Sequence, residues 1–396
     1  MKTLLPAAIL FCGLFNAVNR APAQTWTQAT NAPIGNWHSV ASSADGNNLI
    51  AAVEFGGVYI STNSGVTWTQ VTGLPNAAWI SVASSADGSK LEAVSFGGEG
   101  IFLSTDSGAH WRVANLPNET WFSIASSADG SKLVAAAYFD SSHANPGPIY
   151  TSANYGISWI SCDVPSNNWN GVASSADGKV LAAVARGNSP NAFGPFYTST
   201  NSGLNWNSNN VPAELWSAVA MSADGNKLMA VALNGPIYGS TNSGITWNSI
   251  NSPSTTNWLS VTSSADGTKF TAEVFGGGIY TSLDFGVTWL TNNAPNTNWA
   301  GVTMSADGNK LVSVTYGDGI YTQYSIPSPL LSILPSNTNL VVSWLISSTN
   351  FVLQQSSDLI SWSSITNTPA LNLTNLNNEL CLSPTNASGF FRLISQ

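Results

Sequence analysis

Hydrophobic and polar positions recur along most of this chain in one pattern. In its first occurrence, residues 37–42 alternate between large apolar and small or polar side chains, which predicts a half-buried β-strand. Residues 49–55 are mostly apolar on both faces, as in a strand packed between neighbours. Residues 58–61 and 67–70 predict two further strands, and turns rich in Gly, Asn or Asp separate all four. The pattern therefore predicts a unit of four short strands.

The tetrapeptide Ser-Ala-Asp-Gly marks seven copies of this unit. Successive copies are 42, 42, 48, 47, 42 and 41 residues apart, measured between Asp45, Asp87, Asp129, Asp177, Asp224, Asp266 and Asp307. A period of about 40 to 50 residues built from short strands is typical of a β-propeller with one blade per period. We therefore predict an all-β fold, with a seven-bladed β-propeller over residues 24–325.

The two ends of the chain lie outside this period. Residues 1–23 contain Lys2, an apolar run over residues 4–18 that is short for a bilayer span, and a final Ala-Pro-Ala motif. This order predicts a cleaved signal peptide, so we expect a bacterial protein that is secreted, either extracellular or periplasmic. Residues 326–396 predict a small, sandwich-like β domain. Attachment or sorting is one role for it, and accessory sugar binding is another.

The seventh unit lacks its fourth strand. The chain reaches residues 319–322 and then leaves through a Pro-rich segment, without a counterpart of residues 67–70. Residues 25–28, Thr-Trp-Thr-Gln, repeat the sequence of residues 67–70. We predict that this N-terminal strand completes the last blade and closes the ring, because closure removes exposed sheet edges.

The turn before each fourth strand carries a second motif. Residues 61–68, Ser-Thr-Asn-Ser-Gly-Val-Thr-Trp, resemble the Asp-box of the BNR repeat family, and five more copies occupy 104–111, 152–159, 199–206, 240–247 and 282–289. Asp106 and Asp284 keep the acid of the motif, and Asn replaces it in the other four copies. The resemblance implies a folding role for the box. The chain is most similar to photosystem II assembly factor and xyloglucanase-type propellers, and more distantly to sialidases and sortilin.

The composition of the chain excludes some classes of binding partner. The chain has a net charge of −9 and only 8% charged residues, so it lacks the basic surface that nucleic acids or anionic membranes require. We expect a monomer with no membrane insertion, no metal and no cofactor. Cys162 and Cys381 could pair after export, although two free thiols are the simpler interpretation.

Variable loops on a rigid scaffold are where binding sites occur, and here they lie on the rim opposite the Asp-boxes. Two neighbouring blades have longer loops on that rim, which accounts for the 48- and 47-residue spacings. A tryptophan also begins every first strand, and its face could stack on a sugar; wedging between blades is the structural alternative. The candidate ligand-binding residues are Asp140, His143, Arg186, Phe193, Trp121 and Trp169.

Whether the chain could be a glycoside hydrolase depends on the positions of its carboxylates. A glycosidase needs two facing acids, and the candidates at or near the variable rim are Glu54, Glu99, Asp140 and Asp318. Glu273 stands where other units have Val, so burial should raise its pKa. A sialidase would need three arginines at the channel, whereas only Arg186 is suitably placed.

We therefore expect a non-catalytic propeller that binds a glycan or an extracellular protein through the variable rim. The alternatives are a glycoside hydrolase that acts on extracellular polysaccharide and an extracytoplasmic assembly factor.

Overall fold

A computed structural model describes residues 25–139, 145–187, 193–253, 257–324, 331–336, 339–345, 351–357, 361–366, 369–372, 377–382 and 390–395. These residues contain β-strands and turns and no helix, as the sequence predicts. Consequently, the described part of the chain has no helix that could cross a bilayer. The predicted signal peptide lies outside the described residues.

Strands β1 to β28 form the repeating part. The first strand, β1, is Thr27–Gln28. Repeat 1 contains β2 Gly35–Ser42, β3 Leu49–Gly56, β4 Val58–Ser61 and β5 Thr69–Gln70; repeat 2 contains β6 Ala77–Ser84, β7 Leu91–Ser95, β8 Ile101–Ser104 and β9 Arg112–Val113. Repeat 3 contains β10 Thr120–Ser126, β11 Leu133–Phe139, β12 Ile149–Ser152 and β13 Ile160–Ser161; repeat 4 contains β14 Asn168–Ser174, β15 Leu181–Arg186, β16 Phe196–Ser199 and β17 Asn207–Ser208. Repeat 5 contains β18 Trp216–Met221, β19 Leu228–Ala232, β20 Ile237–Ser240 and β21 Asn248–Ile250; repeat 6 contains β22 Trp258–Ser263, β23 Phe270–Gly277, β24 Ile279–Ser282 and β25 Leu290–Thr291; repeat 7 contains β26 Thr297–Met304, β27 Lys310–Asp318 and β28 Ile320–Tyr324.

Each repeat is an antiparallel sheet in which successive strands pair. In repeat 4, for example, the order is β14-β15-β16-β17. The second strand is buried along most of its length, because both of its faces pack against neighbouring repeats; Leu181–Arg186 has five buried residues out of six. The tryptophan at or near the start of each first strand is fully buried in these interfaces.

A circle of backbone hydrogen bonds joins the repeats at the Ser-Ala-Asp-Gly turns. In each turn the alanine N–H donates to the alanine carbonyl oxygen of the next repeat, at 2.7–2.8 Å. The series runs Ala44, Ala86, Ala128, Ala176, Ala223, Ala265, Ala306 and back to Ala44. Repeat 7 is therefore bonded to repeat 1 in the same way as any two consecutive repeats.

The N-terminal strand supplies the fourth strand of repeat 7. Thr27 and Gln28 of β1 pair with Thr322 and Tyr321 of β28. The indole of Trp26 donates to the carbonyl oxygen of Asn292 at 3.1 Å. These contacts give repeat 7 the outer strand that its own sequence lacks.

The Asp-box ties each outer turn through its own side chains. In repeat 1 the Ser61 hydroxyl accepts from the Gly65 N–H at 2.9 Å, and the Asn63 side-chain oxygen accepts from the Thr67 N–H at 2.8 Å. The Trp68 indole donates to the Gly65 carbonyl oxygen at 3.1 Å. An amide oxygen makes the same bond to the backbone as the carboxylate of Asp284, so Asn replaces Asp without loss of the turn.

The C-terminal strands form two further antiparallel sheets. Strands β29 to β35 are Ser332–Ser336, Asn339–Leu345, Phe351–Ser356, Ser363–Ser364, Ala370–Asn372, Asn377–Leu382 and Phe390–Ser395. Their orders are β29-β30-β34-β33 and β32-β31-β35. Val342 and Trp344 of one sheet cluster with Leu353 of the other, which gives these strands a core of their own. Cys381 in β34 is an exposed free thiol, and Cys162 is free as well.

Candidate functional site

A cavity of about 600 Å³ occupies the middle of the circle, and all seven repeats line it. It is lined by the starts of the first strands and the ends of the second strands. These positions lie at the opposite end of the strands from the Ser-Ala-Asp-Gly turns. A smaller space of about 170 Å³ at those turns is lined chiefly by Ser and Ala. A volume of about 600 Å³ is within the range of pockets that hold a small molecule or one end of a larger one.

A β-bulge in every repeat turns one side chain into this cavity. In repeat 1, Trp37 pairs with Val53 while Ser39 pairs with Ala52, so His38 is the extra residue of the bulge. Bulges re-aim side chains and are common next to binding sites. The seven residues so placed, which we call the bulge ring, are His38, Ile80, Phe122, Asn170, Ser217, Leu259 and Ala300.

A second variable position follows the partner of each tryptophan, at the end of the second strand. We call these residues the mouth ring: Glu54, Phe96, Tyr138, Arg186, Leu233, Phe275 and Tyr316. Arg186, Leu233, Phe275 and Tyr316 line the cavity directly. The Phe122 ring centre lies 6.0 Å from that of Phe96 and 5.4 Å from that of Tyr138. Repeats 2 and 3 thus present a continuous aromatic arc beside the mouth.

The ionisable groups of the cavity are few. His38 contacts the Ile80 carbonyl oxygen through Nδ1 at 2.9 Å, so Nδ1 carries the proton. Burial lowers the pKa of His38, which favours a neutral imidazole at neutral pH. Arg186 is half-buried, and burial lowers its pKa as well. None of the described residues that line the cavity is Asp or Glu.

The structure brings only part of the predicted ligand site together. Arg186 lines the cavity, whereas Phe193 is 60% exposed and does not. Asp140 and His143 lie outside the described residues. The interpretation of Trp121 and Trp169 as stacking surfaces is wrong, because both side chains are 0% exposed and wedge between repeats. The aromatic surface of the mouth comes from the two variable rings instead.

The three described candidate acids at or near the variable rim are each bonded to a neighbouring side chain. Glu54 accepts a hydrogen bond from the Tyr316 hydroxyl, and Glu99 is bonded to Ser95. Asp318 accepts from Gln28 at 2.9 Å and from Tyr321 at 2.7 Å, beside the N-terminal strand. These three acids are held by different neighbours, and none of them lines the cavity. Asp140 is outside the described residues.

Glu273 is buried away from the cavity. Its side chain is 0% exposed, and one oxygen accepts a hydrogen bond from Ser313 of repeat 7 at 2.7 Å. Burial raises its pKa to about 8, which confirms the raised pKa that its apolar position predicts. Because it lies between β23 and β27 and cannot reach a ligand, its role is in the interface of repeats 6 and 7.

Sequence reasoning named Glu54 and Arg186 of the mouth ring but missed the bulge ring, although the signal was present. The residue after each tryptophan is different in all seven repeats, while the tryptophan itself never changes. In a scaffold of near-identical repeats, some positions vary although the residues beside them do not. Packing between repeats does not constrain the side chain at such a position. In this chain those positions line the cavity.

Comparison with solved structures places the chain among β-propellers. No protein-family model matches it, and no curated protein matches its sequence. A structure described as YCF48 bound to D1 peptide has a TM-score of 0.58 and 15% identity, covering 78% of this chain and 96% of that one. YCF48 from Cyanidioschyzon merolae has a TM-score of 0.57 and 17% identity, covering 76% and 98%. An ancestral GH74 enzyme has a TM-score of 0.56 and 17% identity, covering 82% of this chain but only 54% of its own. The fold is therefore a β-propeller.

The cavity is lined by polar and aromatic side chains. It offers hydrogen-bond donors and acceptors, one cation and an aromatic arc, on strands fixed by the circle of repeats. The described residues contain no group of three His, Cys, Asp or Glu side chains that could hold a metal ion.

Proposed function

We propose that this chain is an exported, non-catalytic seven-bladed β-propeller that binds a glycan or a protein segment in the mouth of its central cavity. The observation that carries the proposal is the lining, which combines aromatic, amide and guanidinium groups without a described carboxylate. A glycosidase would need two acids, one on each side of the scissile bond. Glu54, Glu99 and Asp318 do not line the cavity, which supports binding over hydrolysis there.

The solved propellers of similar fold include one described as bound to a peptide and one described as an enzyme. The peptide-bound structure supports binding as a role that this fold can have. A likeness at 15% identity gives the fold and not the ligand. We propose in addition that residues 1–23 direct export and that residues 326–396 form a separate small β domain. A stable protein partner found with the native chain would favour the assembly-factor alternative.

Filling the cavity tests this function. We expect Ala300→Trp to reduce ligand affinity at least tenfold, because the new indole occupies space in the bulge ring. Its thermal melting is recorded as well, because Ala300 also packs against the core between repeats 7 and 1. The measurement is binding of the full chain to a glycan array and a peptide array. Val66→Trp is the matched control, since Val66 is 64% exposed on the Asp-box side.

Two results would contradict the proposal. One is array binding that survives Ala300→Trp with unchanged affinity. The other is release of reducing sugar from polysaccharide by the wild-type protein that disappears in Glu54→Gln or Asp318→Asn, which would establish the hydrolase instead.

A further inference from the structure

Repeat 4 presents an unpaired cation to the cavity. Arg186 is half-buried at the end of β15 and lines the cavity. Its guanidinium makes no hydrogen bond and no ion pair with any described residue, and its two terminal nitrogens, unlike Nε, keep accessible surface. A charge that is partly removed from water is stabilised by a counter-charge, and the described lining holds no carboxylate to supply one. The cavity therefore favours an anion.

Four half-buried serine hydroxyls add hydrogen-bond donors to the same cavity. We call them the serine ring, and each follows the bulge residue of its repeat: Ser39, Ser81, Ser123 and Ser260. Each oxygen accepts a backbone N–H from the next repeat, at 3.1–3.3 Å. No described group accepts the hydroxyl proton in return, so each O–H can point inward. Such donors, together with a guanidinium, are what an oxyanion requires.

The charge of the cavity matches one negative group. Arg186 is the one cation among the described lining residues at neutral pH, because burial lowers the pKa of His38 and favours its neutral imidazole. A carboxylate carries a single charge on two coplanar oxygens, which fit the fork of a guanidinium, whereas a phosphate monoester carries about two charges. Glu54 of the mouth ring belongs to repeat 1, which is as far from repeat 4 as a circle of seven allows.

The surroundings of Arg186 favour a carbohydrate acid over a peptide. Tyr138, the last ring of the aromatic arc, lies close enough to Arg186 to interact with it electrostatically. A uronic acid carries its carboxylate on the same ring that offers an apolar face, so one sugar unit can reach the guanidinium and stack on the arc. The serine ring already occupies backbone N–H groups of the inner strands, such as those of Val82 and Val172. A peptide that adds a strand to a sheet needs such groups to be free.

We propose that the cavity binds a uronic acid unit of an acidic carbohydrate, with the sugar carboxylate held by the terminal nitrogens of Arg186. This assignment rests on the proposed function and names its ligand. Ser123, whose oxygen is bonded to repeat 4, donates its hydroxyl proton to a neighbouring sugar oxygen. His38 donates through Nδ1 to Ile80, so its Nε2, which has no described partner, accepts from a sugar hydroxyl.

Calorimetric titration of the full chain tests the proposal. The probes are hexasaccharides of galacturonate, glucuronate and mannuronate, each paired with its methyl ester, which keeps the sugar ring and removes the charge. We expect at least one acid to bind, and its ester to bind at least tenfold more weakly. Arg186→Met should lower the affinity for that acid at least tenfold, because methionine keeps an apolar stem and removes the charge. Lys179→Met is the matched control, since it removes an exposed cation from the same repeat at the opposite rim.

The outcomes separate this assignment from the proposed function. Arg186→Met breaks no described side-chain hydrogen bond, so its melting should match the wild type. Equal affinity for an acid and its ester, or unchanged affinity in Arg186→Met, overturns the proposal. If only a neutral hexasaccharide or a peptide binds, and Ala300→Trp blocks that binding, the cavity is a binding site and the uronate assignment is wrong. If no carbohydrate and no peptide binds, both the assignment and the proposed function fail.

Discussion

Deleting residues 25–29 is expected to destabilise the propeller by about 3–5 kcal/mol and to make it self-associate. The deletion removes the strand that pairs with Tyr321 and Thr322 and the indole that contacts Asn292. It also removes the bond from the Ala29 N–H to the Ile320 carbonyl oxygen at 2.8 Å. Strand β28 would then be an exposed edge, which is a template for pairing with another chain.

Thermal melting and light scattering of the full chain measure both effects. Trp26→Ala should give a smaller loss, because it keeps the strand pairing. Ile34→Ser is the control: Ile34 lies just after the N-terminal strand and is 79% exposed, so its melting should match the wild type. A deletion variant that melts with the wild type and stays monomeric would disprove the closing role of β1.

The second large effect is a stability that increases as the pH is lowered from 8 to 5. Burial raises the pKa of Glu273 and of Glu92 to about 8, whereas the ordinary pKa of a glutamate is 4.5. Between these values the unfolded chain loses protons that the folded chain retains, so stability falls as the pH rises through this interval. We expect a change of roughly 1–4 kcal/mol for each group across the interval.

Glu273→Gln tests the predicted direction of the change in stability with pH. The amide oxygen can still accept the hydrogen bond from Ser313, and it carries no proton to lose. The variant should be more stable than the wild type at pH 8 and should show a shallower dependence on pH, with Glu92→Gln adding to the effect. Asp163→Asn, at an exposed position, is the control. A wild-type stability that is flat or rising from pH 5 to pH 8 would refute the prediction.

The aspartates of the Ser-Ala-Asp-Gly turns determine how far stability persists as the pH is lowered. In Asp224, partial burial alone would raise the pKa, but hydrogen bonds from Ser222 and Asn226 outweigh it and lower the pKa. Groups with lowered pKa contribute stability that is present above the unfolded value and is lost as the pH falls through the folded value. Stability should therefore be greatest near pH 5, between the acid loss at the turns and the loss at the buried glutamates.

The fold could be predicted closely because its signals are periodic. The alternation at residues 37–42, the apolar run at 49–55 and the turn glycines each recur in every repeat, so a weak local signal is read seven times. The pairing predicted for residues 25–28 is present at Thr27 and Gln28, since the repeat shows which strand is missing. The C-terminal sheets have no such repetition, and the sequence indicated only that they are β-strands.

The site could be predicted only in part, because its geometry depends on a backbone irregularity. Alternation along a regular strand does not reveal that one extra residue follows Trp169 and turns Asn170 toward the cavity. Sequence reasoning instead selected the conspicuous residues: long loops, and tryptophans such as Trp121 that packing requires. Arg186 was found because charge is rare in this chain, and its unpaired Nε could be seen only with the burial of its neighbours known.

The hydrogen-bonded circle of alanines has a consequence for how this protein can change. Every bond in it joins main-chain atoms, at the end of the strands remote from the cavity. Substitutions among the cavity side chains therefore leave this circle of backbone bonds untouched. A single architecture can in this way acquire new recognition properties by exchanging a few inward-pointing residues.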